Sequence, residues 1–246
     1  MENSTFVSMK DAIFCWSGGK DSAFALYKVL QEKEYRIVNL FTTVNETYRR
    51  VSMHGVREEL IKNQAESIGI PLDIMYVKEG SNSEYEQNMA DYLRKCKSAG
   101  IYYAIFGDIF LEDLRAYRDN NLSKEGFTGV YPLWKQDTHQ LAEEFIVGGF
   151  KTILCCTNDA YLGKEYVGEL YTQDLINRFP VNVDPCGENG EFHSFCYNGP
   201  LFKMPVKVDR GEIIYKPLEV KMDNSHPPLP PDRPATKGFW YCDLLP

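Results

Sequence analysis

Six consecutive residues near the start of the chain, Ser17-Gly18-Gly19-Lys20-Asp21-Ser22, constrain the fold more than any others. They follow a short apolar run, Asp11 to Trp16, and precede Ala23 to Lys33, where Phe24, Leu26, Tyr27 and Leu30 recur at helical spacing. A glycine pair between a buried strand and a helix lets the backbone turn tightly and present its N–H groups. Those donors, with the positive end of the helix dipole, make a cradle for phosphate. Lys20 adds a cation, Ser17 and Ser22 add hydroxyls, and Asp21 is placed to carry Mg2+ or to orient Lys20. The plain alternative is a glycine turn with incidental polar residues. Phosphate binding is the stronger reading.

The same grammar repeats along the chain. Arg36–Thr42 reads as a second buried strand, and Gly55–Ile68 as a helix with Val56, Leu60, Ile61, Ala65 and Ile68 on one stripe. A third strand is expected at Leu72–Val77, a helix at Ser83–Ser98, a fourth strand at Ile101–Phe106, a helix at Gln136–Val147 and a fifth strand at Phe150–Cys155. Such alternation predicts an α/β fold, doubly wound about a five-stranded parallel sheet, with the ligand at the carboxyl ends of the strands. Beyond Asp184 the pattern changes. Glu191–Tyr197 alternates and Glu212–Tyr215 follows suit, which predicts a smaller β-rich C-terminal region closing over the sheet's carboxyl edge. Asn224–Pro234 is rich in proline and reads as an extended arm. It leads to a tail with Phe239, Trp240 and Tyr241, expected to dock on its own domain or on a neighbouring subunit in a homodimer. The expected divisions are 10–180, 181–222 and 223–246.

Composition narrows the class. Lys plus Arg is 27 against 35 for Asp plus Glu, a net charge of −8, which counts against broad electrostatic capture of nucleic acid or of an anionic membrane. No apolar run approaches the ~20 residues of a membrane span, and Met1–Lys10 lacks the apolar centre of a signal peptide. Seven cysteines without a CxxC pair, two of them adjacent at Cys155 and Cys156, suit reduced thiols in a cytoplasmic protein. Cys186, His193 and Cys196 match no standard zinc spacing.

Two familiar glycine loops do not fit. A Walker A loop needs Gly where Phe14 stands and Ser or Thr where Asp21 stands, and the dinucleotide fingerprint needs a third glycine. Ser17 to Lys20 matches the Ser-x-x-Lys of β-lactamases, but that fold's Ser-Asp-Asn and Lys-Thr-Gly are absent from the chain. Ser17-Gly18-Gly19-Lys20-Asp21-Ser22 instead resembles the PP-loop of the ATP pyrophosphatases in the adenine nucleotide alpha hydrolase superfamily. His54-Gly55-Val56-Arg57, Phe106-Gly107-Asp108-Ile109, Tyr131-Pro132-Leu133-Trp134 and Asp184-Pro185-Cys186-Gly187-Glu188-Asn189-Gly190-Glu191-Phe192-His193 stand in the order of the diphthine–ammonia ligase-like family, over residues 11 to 203.

That resemblance implies the PP-loop ATPase (HUP) fold type and a ligase that splits ATP to AMP and pyrophosphate, activates a carboxylate and couples it to ammonia or an amine. It implies that Ser17, Gly18, Gly19, Lys20, Asp21 and Ser22 hold the phosphates of ATP, with Mg2+ on Asp21. Thr43, Gly107 and Asp108 would lie near the nucleoside. His54 would contact nucleotide, its alternative being a helix cap. Lys20, Asp21, Glu188 and Glu191 would be catalytic, and Glu188, Glu191 and His193 would face the acceptor. Glu188 and Glu191 suit a general base and an amine anchor, against the alternative of a solvated acidic turn. Glu191 and His193, two apart on a strand, project to one face. Diphthine ligases usually carry another Glu where His193 stands, so an imidazole there implies a different acceptor charge. Arg115 and Arg118, on the helix after the fourth strand, read as a solvated face or as phosphate ligands. A tRNA-modifying PP-loop enzyme and a non-catalytic adenine-nucleotide sensor are the alternatives. The first wants a cysteine pair and a basic surface.

Overall fold

Strand β1 (Lys10–Cys15) is apolar at Ala12, Ile13 and Phe14, all buried, because both faces of the sheet it centres are covered. β2 (Tyr35–Asn45) pairs with it in parallel on one side and β5 (Tyr103–Ile105) on the other. β4 (Leu72–Val77) extends the sheet beyond β2, and β6 (Thr128–Val130) extends it beyond β5. The parallel order is therefore β4-β2-β1-β5-β6, with the two-residue β3 (Arg50–Val51) antiparallel to the end of β2. This computed structural model describes residues 9–52, 54–78, 82–218 and 235–246. The proline-rich arm expected at Asn224–Pro234 lies outside the described residues.

Helices α1 (Lys20–Glu32), α2 (Glu58–Ile68), α3 (Asn82–Ser98), α4 (Glu112–Lys124) and α5 (Thr138–Val147) alternate with these strands. Their stops follow local chemistry. α1 and α2 end on left-handed residues, Lys33 and Gly69, and Asp137 caps α5 by accepting the Gln140 N–H at 2.9 Å. Among the described residues no helix is long and apolar enough to cross a membrane.

The fifth strand expected at Phe150–Cys155 is not part of this sheet. β7 (Lys151–Asn158) lies in a second sheet that is antiparallel throughout, ordered β8-β7-β10-β9, with β8 (Phe192–Asn198), β9 (Asp209–Pro217) and β10 (Gly238–Leu245). The fifth parallel strand is β6 instead, whose Thr-Gly-Val is too short to announce itself. A fully buried strand reads as a continuous apolar run in either kind of sheet, so the sequence of β7 cannot say which it joins. The aromatic tail docks on its own chain as β10, between β7 and β9. A short helix, α6 (Gln173–Ile176), and the loop Asp184–Glu191 complete this half.

One contiguous core joins the two sheets. Phe24 of α1 meets Phe145 of α5 and Phe150 edge-on, at centroid separations of 5.9 and 5.7 Å. Phe14, Trp16, Phe150 and Phe195 are among the largest fully enclosed side chains, and burying each such ring contributes about 1.5–3 kcal/mol.

Candidate functional site

A cavity of about 720 Å3 opens at the carboxyl ends of β1, β2 and β5, where a parallel sheet places its ligands. Its wall is shared. The parallel sheet contributes Ser17, Asp21, Ser22, Thr43, His54, Gly107 and Asp108, and the antiparallel half contributes Asn158, Glu188, His193 and Ser194. Ile13, Phe41, Met89, Leu93 and Phe106 give one end of it an apolar lining of the kind a nucleobase needs.

The loop between β1 and α1 is held by close contacts that exclude side chains. Gly18 has φ +80°, and a Cβ there would come within 2.7 Å of Gln64 Oε1. At Gly19 a Cβ would meet His54 Cε1 at 2.8 Å, and at Gly107 it would press on the backbone of Asp21 and Ser22 at 2.9–3.0 Å. Around this turn the polar groups are satisfied locally. Ser22 Oγ donates to the Gly19 carbonyl at 3.1 Å, and the Gly19 N–H donates to Ser17 Oγ at 3.3 Å.

The loop is also sewn to β8. The Cys196 N–H donates to the Gly18 carbonyl at 2.9 Å, and the Lys20 N–H donates to Ser194 Oγ at 3.1 Å. Gln64, fully buried on α2, binds everything around it: it donates to the carbonyls of Gly18 and Cys196 at 2.9 and 2.6 Å and accepts from the Trp16 indole at 2.9 Å. Sequence reasoning missed Gln64, Trp16 and Ser194. The available signal was an amide and an indole beside the loop's own elements, since Gln64 sits at the edge of the apolar stripe of α2.

Lys20 does not line the cavity. It is buried, its ammonium paired with Asp21 and 5.8 Å from the ring centroids of both Tyr171 and Phe192. Burial is the largest influence and opposes the charge, but the surrounding groups, Asp21 first among them, together outweigh it, so Lys20 stays protonated. Asp21 is half-exposed to the cavity. Asp108 is paired with Arg118 at 2.6 Å, and Arg118 lies 4.5 Å from the Phe106 ring and lines the cavity. Arg115 does not face in; it stacks between Tyr131 and Trp134 at 4.6 and 4.5 Å.

Glu188 and Glu191, placed together by the sequence, are separated by the fold. Glu188 faces the cavity, and its Oε1 accepts from the N–H groups of Ile109 and Phe110 at 2.8 and 3.2 Å. Burial and the Asp21 charge push its carboxyl up to about 7 in spite of those donors. Glu191 is wholly buried and does not line the cavity. Its Oε1 accepts from the Asp184 N–H and the Asn189 amide at 3.0 and 3.1 Å, which ties the loop Asp184–Glu191 into a ring, while Oε2 has no partner. Asp184 tightens the same loop by accepting from the Cys186 N–H at 2.8 Å and from the Thr138 hydroxyl at 2.7 Å.

His54 and His193 stand with ring centroids 4.7 Å apart on the cavity wall. Burial holds both imidazoles down, His54 to about 4 and His193 to about 3, helped in each case by the Lys20 charge. Both are neutral near pH 7. His54 Nδ1 lies 3.0 Å from the Ser194 carbonyl, an acceptor, so that nitrogen carries the proton.

These residues fit a magnesium–nucleotide. A glycine cradle at a helix start suits phosphate, and Mg2+ commonly rests on one or two carboxylates plus phosphate oxygens, for which Asp21 is available. Among the described residues no group of three or more His, Cys, Asp or Glu is arranged as a metal centre of its own.

Comparison with known proteins finds family matches over most of the chain. Residues 9–127 match the family described as the diphthamide synthase N-terminal domain, and residues 137–222 match the diphthamide synthase C-terminal domain. A diphthine–ammonia ligase of Mus musculus is 25% identical over 227 residues, covering 80% of this chain and 82% of that one. The corresponding ligase of Danio rerio is 26% identical over 228 residues, covering 80% and 86%. Among solved structures, a U34-tRNA thiolase of Methanococcus maripaludis that carries a 4Fe–4S cluster aligns over 56% of each chain at 18% identity with a TM-score of 0.34, too loose a likeness to carry any inference.

Proposed function

This chain belongs to the diphthine–ammonia ligase-like family of PP-loop ATP pyrophosphatases, ATP-using enzymes that form carbon–nitrogen bonds, and from that premise we propose that it adenylates a substrate carboxylate and couples it to ammonia or an amine. The observation that carries the reading is one cavity lined both by Ser17, Asp21 and Ser22 of the glycine loop, though not by Gly18, Gly19 or Lys20, and by Glu188.

In the proposed reaction a carboxylate oxygen of the acceptor attacks the α-phosphorus of ATP. The bond from the α-phosphorus to the bridging oxygen breaks, and pyrophosphate leaves into the loop. With the Lys20 N–H given to Ser194 Oγ, the next N–H groups of α1, those of Asp21 and Ser22, and the buried Lys20 charge stabilise the negative charge that grows there. Asp21 would hold Mg2+, which neutralises phosphate charge when bound. The amine nitrogen then attacks the acyl carbon and AMP departs. Glu188, poised near pH 7, takes the proton the nitrogen must lose. Gly107 and Asp108 border the nucleoside with Thr43, and the neutral pair His54 and His193 lies between loop and acceptor. Glu191 holds the Glu188 loop in shape and acts through it.

Incubation of the protein with ATP, Mg2+, ammonium and fractionated cell extract tests this directly. AMP and pyrophosphate should accumulate with the wild type and not with Lys20→Ala. Tight ATP binding with no AMP formed in any fraction would overturn the ligase reading in favour of a nucleotide sensor.

A further inference from the structure

The C-terminal strand β10 lies beyond residue 222, outside both matched family segments, yet it reaches the cavity. Phe239, Tyr241 and Asp243 alternate along it and so present one face. Each touches a part of the site. Phe239 lines the cavity opposite Asn158, its neighbour across the ladder on β7. Tyr241 lies against Gly55, where a Cβ would come within 2.9 Å of its ring. Asp243 accepts from Arg57 Nε and Nη2 at 3.0 and 2.6 Å and from Arg50 Nη2 at 2.8 Å, and Arg50 donates its other arm to the Gly55 carbonyl at 2.7 Å. Two residues of β9, Gly211 and Glu212, stand opposite Asp243 alone, a bulge of the kind that aims a side chain.

The contacts of Tyr241 and Asp243 land on the turn from β3 to α2, the turn that carries His54. His54 in its other direction packs on Gly19 and bonds the Ser194 carbonyl. The turn is therefore held from two sides, by β10 outside and by the glycine loop inside. We propose that Asp243 is a positioning residue for the ligase site, fixing His54 against the glycine loop through Arg50 and Arg57. The bidentate fork of Arg57 on Asp243 supplies the directional restraint that a single point charge would not. The turnover part of this inference rests on the ligase reading; the placement of His54 does not.

Asp243→Asn tests it, with His54 followed by NMR titration of its imidazole and pyrophosphate release measured alongside. In the wild type the His54 midpoint is expected near 4, because the ring is buried. In Asp243→Asn the midpoint should climb toward the ordinary 6.5 and pyrophosphate release should fall about 10- to 100-fold, the scale of a misplaced group in a preorganised site. Asp243→Glu, which keeps both charge and fork acceptor, should recover most of the loss. Arg57→Lys gives the same readouts from the other partner should Asp243→Asn fail to fold. An unmoved His54 midpoint overturns the proposal, and so does a shifted midpoint with unchanged pyrophosphate release. If the wild type itself releases no pyrophosphate, the ligase reading fails alone, and the His54 midpoint with ATP affinity decides the clamp.

Discussion

The two walls of the cavity carry different kinds of electrostatics. On the parallel-sheet side the charged groups come as pairs, Lys20 with Asp21 and Arg118 with Asp108, in which the cation opposes the burial that pushes each carboxyl up. Across the gap, among the described residues, Glu188 pairs with no cation and His193 with no anion; burial leads, the Asp21 charge helping to raise the Glu188 carboxyl to about 7 and the His54 and Lys20 charges helping to hold the His193 imidazole down to about 3. The lesson is a division of labour by dielectric. Paired charges would give phosphate a field that changes little over a wide pH range, while Glu188, near 7, is the group able to exchange a proton under working conditions.

Loss of the fixed field should cost most. Lys20→Ala is expected to lower pyrophosphate release on the order of 100- to 1,000-fold, the cost of removing one preorganised charge at a leaving oxyanion, with little change in melting. Steady-state kinetics beside a thermal melt checks this, and a fall of less than about tenfold would place the essential charge elsewhere.

The opposite wall is expected to yield a similar but smaller loss. Glu188→Gln should reduce turnover about 100-fold, and the wild-type rate should rise with pH through about 7 while the variant's stays flat. Stability should move the other way. The folded carboxyl holds its proton more tightly than the unfolded one, so folding loses free energy as pH rises from the unfolded value near 4.5 through about 7. Glu188→Gln removes that loss and should melt above the wild type at pH 8, with no difference at pH 4.

The imidazoles sharpen the contrast in the acid range. His54 and His193 have folded values below their unfolded 6.5, so the unfolded chain binds their protons first and stability falls as pH drops from 6.5 toward 4. Each contributes a slope of about 1.4 kcal/mol per pH unit within its window. His193→Gln should flatten the melting curve there by one such increment while changing turnover at pH 7.5 only a few-fold. The smallest effect concerns what joins the walls. Gln64→Leu strands the Gly18 and Cys196 carbonyls and the Trp16 indole, and should lower stability by about 1–3 kcal/mol in a denaturant titration.

The parallel half was the more legible in sequence, for a physical reason. Its strands and helices are local patterns, and the glycine loop is a single stretch, so β1, β2, β4 and the helices between them fall within a few residues of expectation. The antiparallel half is assembled from stretches far apart in the chain, and pairings such as that of β7 with β10 leave no periodic trace. The site shows the same split. Spacing could nominate Glu188 and Glu191 together but not tell which faces the cavity, because a tight loop turns neighbours to opposite sides. Gln64 and Asp243 act across 46 and 186 residues of chain, on Gly18 and Arg57 respectively, which no local window spans.

The stitches between the glycine loop and β8 have a consequence for how the molecule comes apart. Gly18 and Lys20 bond to Cys196 and Ser194, so neither sheet can detach without stripping partners from buried backbone of the other. Partial opening is then costlier than its lost contacts suggest, and heat should take both sheets in one calorimetric transition. Nucleotide held by the loop would shift that whole transition upward, transmitting its binding energy to strands it never touches.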